Sequence, residues 1–177
     1  MFTNKYAWLA AFFLTATAST QAHSAQCLEA IDLPQKVERV GETRLRVMFF
    51  KVYDAVLATN TGDFPSYQTL ALELNYLRNI KADTLVDTTA DEWKKQGIEV
   101  TAEHEQWLTT LRSIWPDVQE GDCLVALHER SQGLRFYNAN GELGIIESDT
   151  FAEDFLAIWL GEKSSFEKNR DQLLGVE

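Results

Sequence analysis

The nine residues TLALELNYL (69–77) decide the fold class of this chain. Large apolar side chains occupy every second position, and small or polar side chains occupy the positions between them. The first set is Leu70, Leu72, Leu74 and Tyr76, and the second is Ala71, Glu73 and Asn75. A period of two predicts a β-strand with one buried face. Such strands are typical of antiparallel sheets that have one solvated face.

Two further strands are predicted upstream of this segment. Residues 33–40 form the first, which Gly41 is expected to end. Residues 43–57 are aromatic and β-branched, and they are predicted as one long strand. A loop follows at 59–66, where Asn60, Gly62 and other turn-forming residues cluster.

The pattern becomes helical from residue 82 onward. A spacing of four residues separates Leu85, Thr89 and Trp93, and Gly97 is expected to end this helix. A second helix is predicted over 101–115, and Pro116 is expected to end it. Further strands are predicted at 123–127, 134–137 and 143–146, and further helices at 151–160 and 165–174.

This order of elements predicts an α+β protein, with an antiparallel sheet and helices that cover one of its faces. The chain has 177 residues, of which 45% are hydrophobic. It contains neither a Gly/Ser-rich or Pro-rich linker nor an internal repeat. A single domain, covering residues 25–177, is therefore expected.

The first 22 residues resemble a secretory signal peptide. They contain one charge, Lys5, followed by an apolar run over 6–18 that is shorter than a membrane-spanning helix. Cleavage is expected after Ala22 or Ser24, and a retained membrane anchor is the alternative. We therefore expect a periplasmic or secreted protein without a membrane anchor after cleavage.

The two cysteines, Cys27 and Cys123, both lie in the predicted mature chain. An oxidising compartment allows them to form a disulfide. The alternative is that both are buried, unpaired and packed as small apolar residues.

Charge and composition exclude several classes of function. The net charge of −11 becomes −12 when Lys5 is removed, and this acidity disfavours a nucleic-acid partner. Three histidines and two cysteines are too few to predict a metal site. No glycine-rich loop precedes a helix, so no nucleotide cofactor is expected. His104 lies between two glutamates on a helix face expected to be exposed, and we assign it a structural role.

The segment RLRVMFFKVYDA (44–55) places cationic and hydroxyl groups inside an aromatic strand. Alternation along one strand puts Arg44 and Arg46 on the same face as Val52, unless a bulge re-aims them. A guanidinium beside an apolar wall suits a ligand with an anionic head and an apolar body. Arginines lying over apolar surface or paired with carboxylates are the alternative. The predicted ligand-binding residues are Arg44, Arg46, Tyr53, Tyr76 and Arg78.

Several stretches of the chain resemble the bacterial chalcone isomerase-like proteins. They extend across nearly all of the predicted mature chain. The matching stretches are RVMFFKVYDAVL (46–57), LELNYLRNIKADTL (72–85), WPDVQEGDCL (115–124), RFYNANGELGIIESDTFAEDFLAIWLG (135–161) and RDQLLG (170–175). The resemblance implies an open-faced β-sandwich, in which a ligand cleft lies between a curved antiparallel sheet and a helical layer.

The resemblance also implies two kinds of function. Plant chalcone isomerases close a chalcone to a flavanone with an arginine, a threonine and a tyrosine, whereas non-catalytic relatives hold fatty acids through arginine and tyrosine. Tyr53 stands at the position of the enzymes' threonine, and Arg44 or Arg46 at that of their arginine. The enzymes' tyrosine and asparagine region has no counterpart after Arg78.

These observations favour a non-catalytic protein that binds a small amphipathic acid or aromatic ligand. An intramolecular lyase of the chalcone isomerase type is the first alternative. A structural or partner-binding module, whose cleft is filled by aromatic side chains, is the second.

Overall fold

Six strands form one antiparallel sheet in the computed structural model, which describes residues 27–176. Each strand pairs with its neighbours in sequence, so the strand order is β1-β2-β3-β4-β5-β6. The strands are β1 (Glu38–Val47), β2 (Phe50–Thr59), β3 (Thr69–Tyr76), β4 (Cys123–Glu129), β5 (Gly133–Asn138) and β6 (Gly141–Ile146). The predicted signal peptide lies outside the described residues. Within 27–176, no helix combines the length and the apolar character needed to cross a bilayer.

The four longer helices occur at the positions along the chain that the sequence predicts, which confirms the α+β class. Two of them connect β3 to β4, and two follow β6. The helices are α1 (Cys27–Ala30), α2 (Ala82–Gln96), α3 (Ala102–Ile114), α4 (Asp149–Leu160) and α5 (Glu167–Leu173). Gly97 ends α2 with a left-handed φ of 81°, as its position predicts. Helices α2 to α5 share one core with the sheet, so they form the predicted layer on one face.

The prediction of one long strand over 43–57 is wrong, because the chain reverses at Met48 and Phe49. Val47 pairs with Phe50, which leaves a two-residue turn between β1 and β2. Met48 has a φ of 55°, a left-handed conformation that glycine and asparagine adopt more readily. The sequence lacks a turn-forming residue at this point, so periodicity alone could not locate the reversal.

Gly41 does not end a strand, as the sequence suggested, but lies inside β1. Its role is to admit a close approach of α5. A Cβ atom at this position would overlap the carbonyl oxygens of Gln172 and Leu173. Glycine is therefore required by packing rather than by a turn.

Strand β3 is buried on both faces rather than half-buried. Its polar residues Glu73 and Asn75 are only 2% and 5% exposed. Helix α1 and the segment after it cover this second face, where Cys27 and Cys123 form a disulfide with their Cα atoms 6.0 Å apart. The side chain of Glu73 accepts a hydrogen bond of 2.8 Å from the backbone N–H of Cys27. A second, smaller core, which the alternating strand pattern did not predict, therefore lies beneath the N-terminal segment.

The main core lies between the sheet and helices α2 to α5 and is rich in aromatic rings. Trp93 is fully buried and packs edge-on against Trp107 and Phe151. His104 is buried here too, not exposed on its helix as expected, because its Nε2 lies 3.1 Å from the Asp154 carboxylate. It also completes a capping box with Thr101 at the start of α3. These contacts give His104 a structural role.

Candidate functional site

An apolar cavity of about 350 Å³ lies between the sheet and the helical layer. Side chains from β1 to β5 form its floor, and α2, α4 and the segments beside them form its walls. Its aromatic and large aliphatic lining includes Leu72, Leu74, Trp115, Phe136, Phe155 and Trp159. This volume lies near the lower end of the range for small-molecule sites, about 300 to 1,000 Å³. The aromatic residues form walls around the space and do not fill it.

Two tyrosines from adjacent strands place hydroxyl groups in this cavity. Tyr53 of β2 and Tyr76 of β3 are directly paired in the sheet, and their ring centroids lie 6.1 Å apart. The Tyr53 hydroxyl accepts a 2.9 Å hydrogen bond from the Trp159 indole Nε1. The Tyr76 hydroxyl makes no hydrogen bond to any residue within 27–176. Burial raises the pKa of both phenols, so each remains protonated and able to donate at neutral pH.

The indole ring of Trp115 also lines the cavity. This residue follows α3 and packs edge-on against Phe136 and Phe155. Its Nε1 is buried and has no hydrogen-bond partner among the described residues. A buried donor without an acceptor costs about 1 to 3 kcal/mol.

The α2 side of the cavity carries its remaining polar groups. Thr84 and Thr88 are exposed and line the cavity, which places this side next to solvent. Deeper along α2, the Glu92 side chain is 5% exposed and receives the Lys95 ammonium at 2.7 Å. The Ser165 hydroxyl donates to the same carboxylate at 2.6 Å. The carboxylate is thus neutralised, and Lys95 is the only cation among the described lining residues.

The predicted arginines lie on the opposite face of the sheet from the two tyrosines. Arg44 and Arg46 line a wide, open groove beside the N-terminal segment, whereas Val52 and Tyr53 line the cavity. The strand register is irregular where Leu45 pairs with Tyr53 and Arg46 with Lys51, which leaves Val52 as the extra residue of a bulge. Strict alternation, which groups these arginines with Val52, is therefore wrong, and the bulge expected as the alternative is present together with a turn.

Arg44 and Arg78 each have a contact that accounts for their position. Arg44 forms a two-pronged salt bridge with Asp54, its cross-strand partner, and this carboxylate raises the pKa of the guanidinium. Arg78 is exposed, and its guanidinium carbon lies 5.5 Å from the centre of the Phe50 ring. Neither side chain lines the cavity. Of the five predicted ligand-binding residues, the structure brings only Tyr53 and Tyr76 together at this site.

Sequence reasoning missed the two tryptophans of the cavity. Trp115 and Trp159 recur at helical spacing with leucines, a pattern that indicates core packing. Only the orientation of each indole Nε1 distinguishes a cavity wall from a filled core. Within residues 27–176, no cluster of histidine, cysteine and carboxylate side chains could hold a metal ion.

Comparison with known proteins places this architecture in a family. A crystal structure of a fatty-acid binding protein from Arabidopsis thaliana superposes with a TM-score of 0.64 and 8% sequence identity. The match covers 81% of this chain and 89% of that chain, and at this identity it shows the fold alone. No curated protein matches the sequence. The sequence matches the family described as chalcone isomerase-like over residues 40–175. The chain therefore belongs to the chalcone isomerase-like family.

Proposed function

We propose that this protein binds a single small amphipathic acid, of fatty-acid type, in the cavity between sheet and helices and does not transform it. The observation that carries the proposal is the pair of protonated phenols, Tyr53 and Tyr76, in a cavity whose lining is otherwise mainly aliphatic and aromatic, with its other polar groups on the α2 side. The Arabidopsis thaliana protein that shares this fold is described as a fatty-acid binding protein, which supports the same class of ligand.

The cavity provides separate surroundings for the two ends of such a ligand. An acyl chain contacts the aliphatic and aromatic walls and gains about 0.8 kcal/mol for each methylene removed from water. The head group receives hydrogen bonds from Tyr53 and Tyr76. Neutral donors of this kind bind a carboxyl group or a carbonyl oxygen.

The position of the arginines argues against catalysis and leaves the recognition of a ligand head group to Tyr53 and Tyr76 rather than to an arginine. Among the described residues that line the cavity, none is an arginine. The ring closure performed by chalcone isomerases relies on an arginine that steers the phenolate. With Arg44 and Arg46 on the other face, no arginine within residues 27–176 lines the cavity beside Tyr53. Chalcone absorbance in the presence of the purified protein is expected to decay no faster than in buffer.

A series of saturated fatty acids of increasing chain length tests the binding proposal. Calorimetric affinity should rise by about fourfold for each added methylene until the cavity is full, and then stop rising. The matched alkanes lack a head group and should bind more weakly at every length. Absence of heat and of a thermal shift with all the acids would refute the proposal and favour a structural module.

We also propose that the protein is exported, on the strength of its first 22 residues. Expression of the full sequence in a Gram-negative bacterium should yield a periplasmic protein that begins at His23 or Ala25. The intact mass of the purified protein measures this directly. A mass that includes Met1 together with a cytoplasmic location would contradict export.

A further inference from the structure

The turn between β1 and β2 exposes a run of large apolar side chains. Val47, Met48, Phe49 and Phe50 are 46%, 83%, 92% and 62% exposed. Among the described residues, the only other large apolar side chain that is comparably exposed is Val176, at 70%. Met48 also holds the left-handed backbone conformation that glycine would adopt with less strain. We call residues 47–50 the hairpin tip.

Basic side chains without carboxylate partners surround the hairpin tip. Arg46 and Lys51 are paired across the hairpin immediately behind it, and both are exposed. Arg78 reaches the tip from the end of β3 and lies over the Phe50 ring. None of these three cations forms a salt bridge with any residue within 27–176, whereas Arg44 nearby is held by Asp54.

This local charge is opposite to that of the whole protein. The net charge of the chain is −11, yet residues 45–53 contain no carboxylate. Of the acids that precede β4, Asp117 is paired with Lys81, and the backbone N–H of Glu120 donates to the Asn79 side chain, next to Arg78. Because charges act over about 8 Å at physiological salt, Arg46 and Lys51 give the tip itself a positive charge.

The hairpin tip also stands at the edge of the cavity. Val47 and Val52 flank the turn, and both line the cavity. A ligand that enters beside these residues would therefore pass the exposed apolar tip. The tip has only four side chains, fewer than the about 20 to 30 residues that each partner contributes to a stable protein interface.

We propose that the hairpin tip docks on an anionic lipid bilayer, where the cavity takes up or delivers its amphipathic acid. Met48 and Phe49 enter the boundary between headgroups and acyl chains, and Arg46, Lys51 and Arg78 contact the lipid phosphates. This inference rests on the proposed function, because it names the source of the ligand for that same cavity.

Cosedimentation with vesicles tests the docking. The purified protein, expressed from the full sequence, should bind vesicles of phosphatidylcholine mixed with phosphatidylglycerol and bind poorly to phosphatidylcholine alone. The double variant Met48→Asn, Phe49→Ser should lose about tenfold or more in vesicle affinity, since it removes apolar area from the tip and suits the left-handed turn. The variant Val176→Ser is the matched control, because it removes an exposed apolar side chain elsewhere.

A second pair of variants tests the electrostatic contribution. Arg46→Gln with Lys51→Gln should lower the affinity for anionic vesicles by about fivefold for each cation. Lys94→Gln with Lys163→Gln removes two exposed cations that line neither the groove nor the cavity and should leave the affinity unchanged. Raised salt should weaken the binding of the wild type more than that of the Arg46→Gln, Lys51→Gln variant.

Fatty-acid affinity, measured on the same proteins without vesicles, separates this inference from the proposed function. Retention of acid binding by the tip variant, together with its loss of vesicle binding, supports docking. A wild type that binds vesicles through its tip but binds no acid supports docking and refutes the proposed function. Docking is overturned if the wild type ignores anionic vesicles, if the tip variant still binds them, or if the tip instead causes dimerisation in solution.

Discussion

The Tyr53 hydroxyl accepts a hydrogen bond of 2.9 Å from the indole Nε1 of Trp159, a residue 106 positions later in the chain. This bond joins β2 to α4 at the wall of the cavity. Tyr53 is therefore both a link between the sheet and the helical layer and a hydrogen-bond donor to the cavity. Its neighbour Tyr76 makes no such hydrogen bond within the described residues. Replacing the two tyrosines should therefore have different effects on stability.

Replacing Tyr53 by phenylalanine should weaken both stability and binding. The free energy of unfolding should fall by about 1 kcal/mol, because the Trp159 Nε1 loses its acceptor. Fatty-acid affinity should fall by about tenfold with the loss of one head-group donor. Urea unfolding and calorimetry measure the two effects. Tyr137 lies in a strand but does not line the cavity, so Tyr137→Phe is the control and should leave fatty-acid affinity unchanged. An equal loss of affinity in the two variants would contradict this role for Tyr53.

Replacing Tyr76 by phenylalanine should weaken binding alone. Removing a buried hydroxyl that bonds to no described residue leaves no partner unsatisfied, so the unfolding free energy should stay the same or rise slightly. The affinity for fatty acids should still fall by about tenfold. A variant that loses stability without losing affinity would show that Tyr76 is only a core residue.

Partial filling of the cavity should weaken the binding of the longer acids without loss of the fold. Ala126 of β4 lines the cavity, and Ala126→Leu places three additional carbon atoms in its volume of about 350 Å³. The longest acids should be lost first, because they need the most space. Val56→Phe, which adds bulk to the open groove on the opposite face, is the control and should leave affinity unchanged. Loss of binding in the control alone would move the site to that groove.

Reduction of the disulfide should destabilise the protein. Cys27 and Cys123 are 96 residues apart, and closing a loop of this length contributes about 4.7 kcal/mol in the chain-entropy account. Urea unfolding with and without reductant measures the difference. The double variant Cys27→Ser, Cys123→Ser should match the reduced wild type and should not respond to reductant. A wild type with the same midpoint in both conditions would contradict this contribution.

Glu73 should make stability depend on pH. Burial raises the pKa of its carboxyl above the ordinary 4.5, although hydrogen bonds from the backbone of Cys27 and Leu28 oppose part of the rise. The folded state therefore binds this proton more tightly than the unfolded state, and stability is lost as pH rises from 4.5 through the folded pKa.

The variant Glu73→Gln isolates this effect, because its amide oxygen can still accept the bond from Cys27. The unfolding free energy of the variant minus that of the wild type should increase as pH rises above 4.5. Glu99→Gln removes an exposed carboxylate and controls for the change in net charge. A difference that stays constant or shrinks over this pH range would contradict the burial effect.

Much of the fold could be predicted because local signals were strong. The alternation in 69–77 located β3, and the four-residue spacing that ends at Gly97 located α2 within the residues the structure assigns to it. Turn residues marked the later strands of the sheet. The resemblance to chalcone isomerase-like proteins, carried by stretches across most of the chain, agrees with the family match over 40–175.

The sequence by itself determined the order and type of most elements, because periodicity and capping residues act over a few neighbouring positions. The tertiary structure alone decided the site. A reversal at Met48 without a turn signal and an extra residue at Val52 placed Arg44 and Arg46 on the face opposite Tyr53. Since each one-residue shift in a strand moves a side chain to the other face, the grouping of these residues depends on register and not on spacing along the chain.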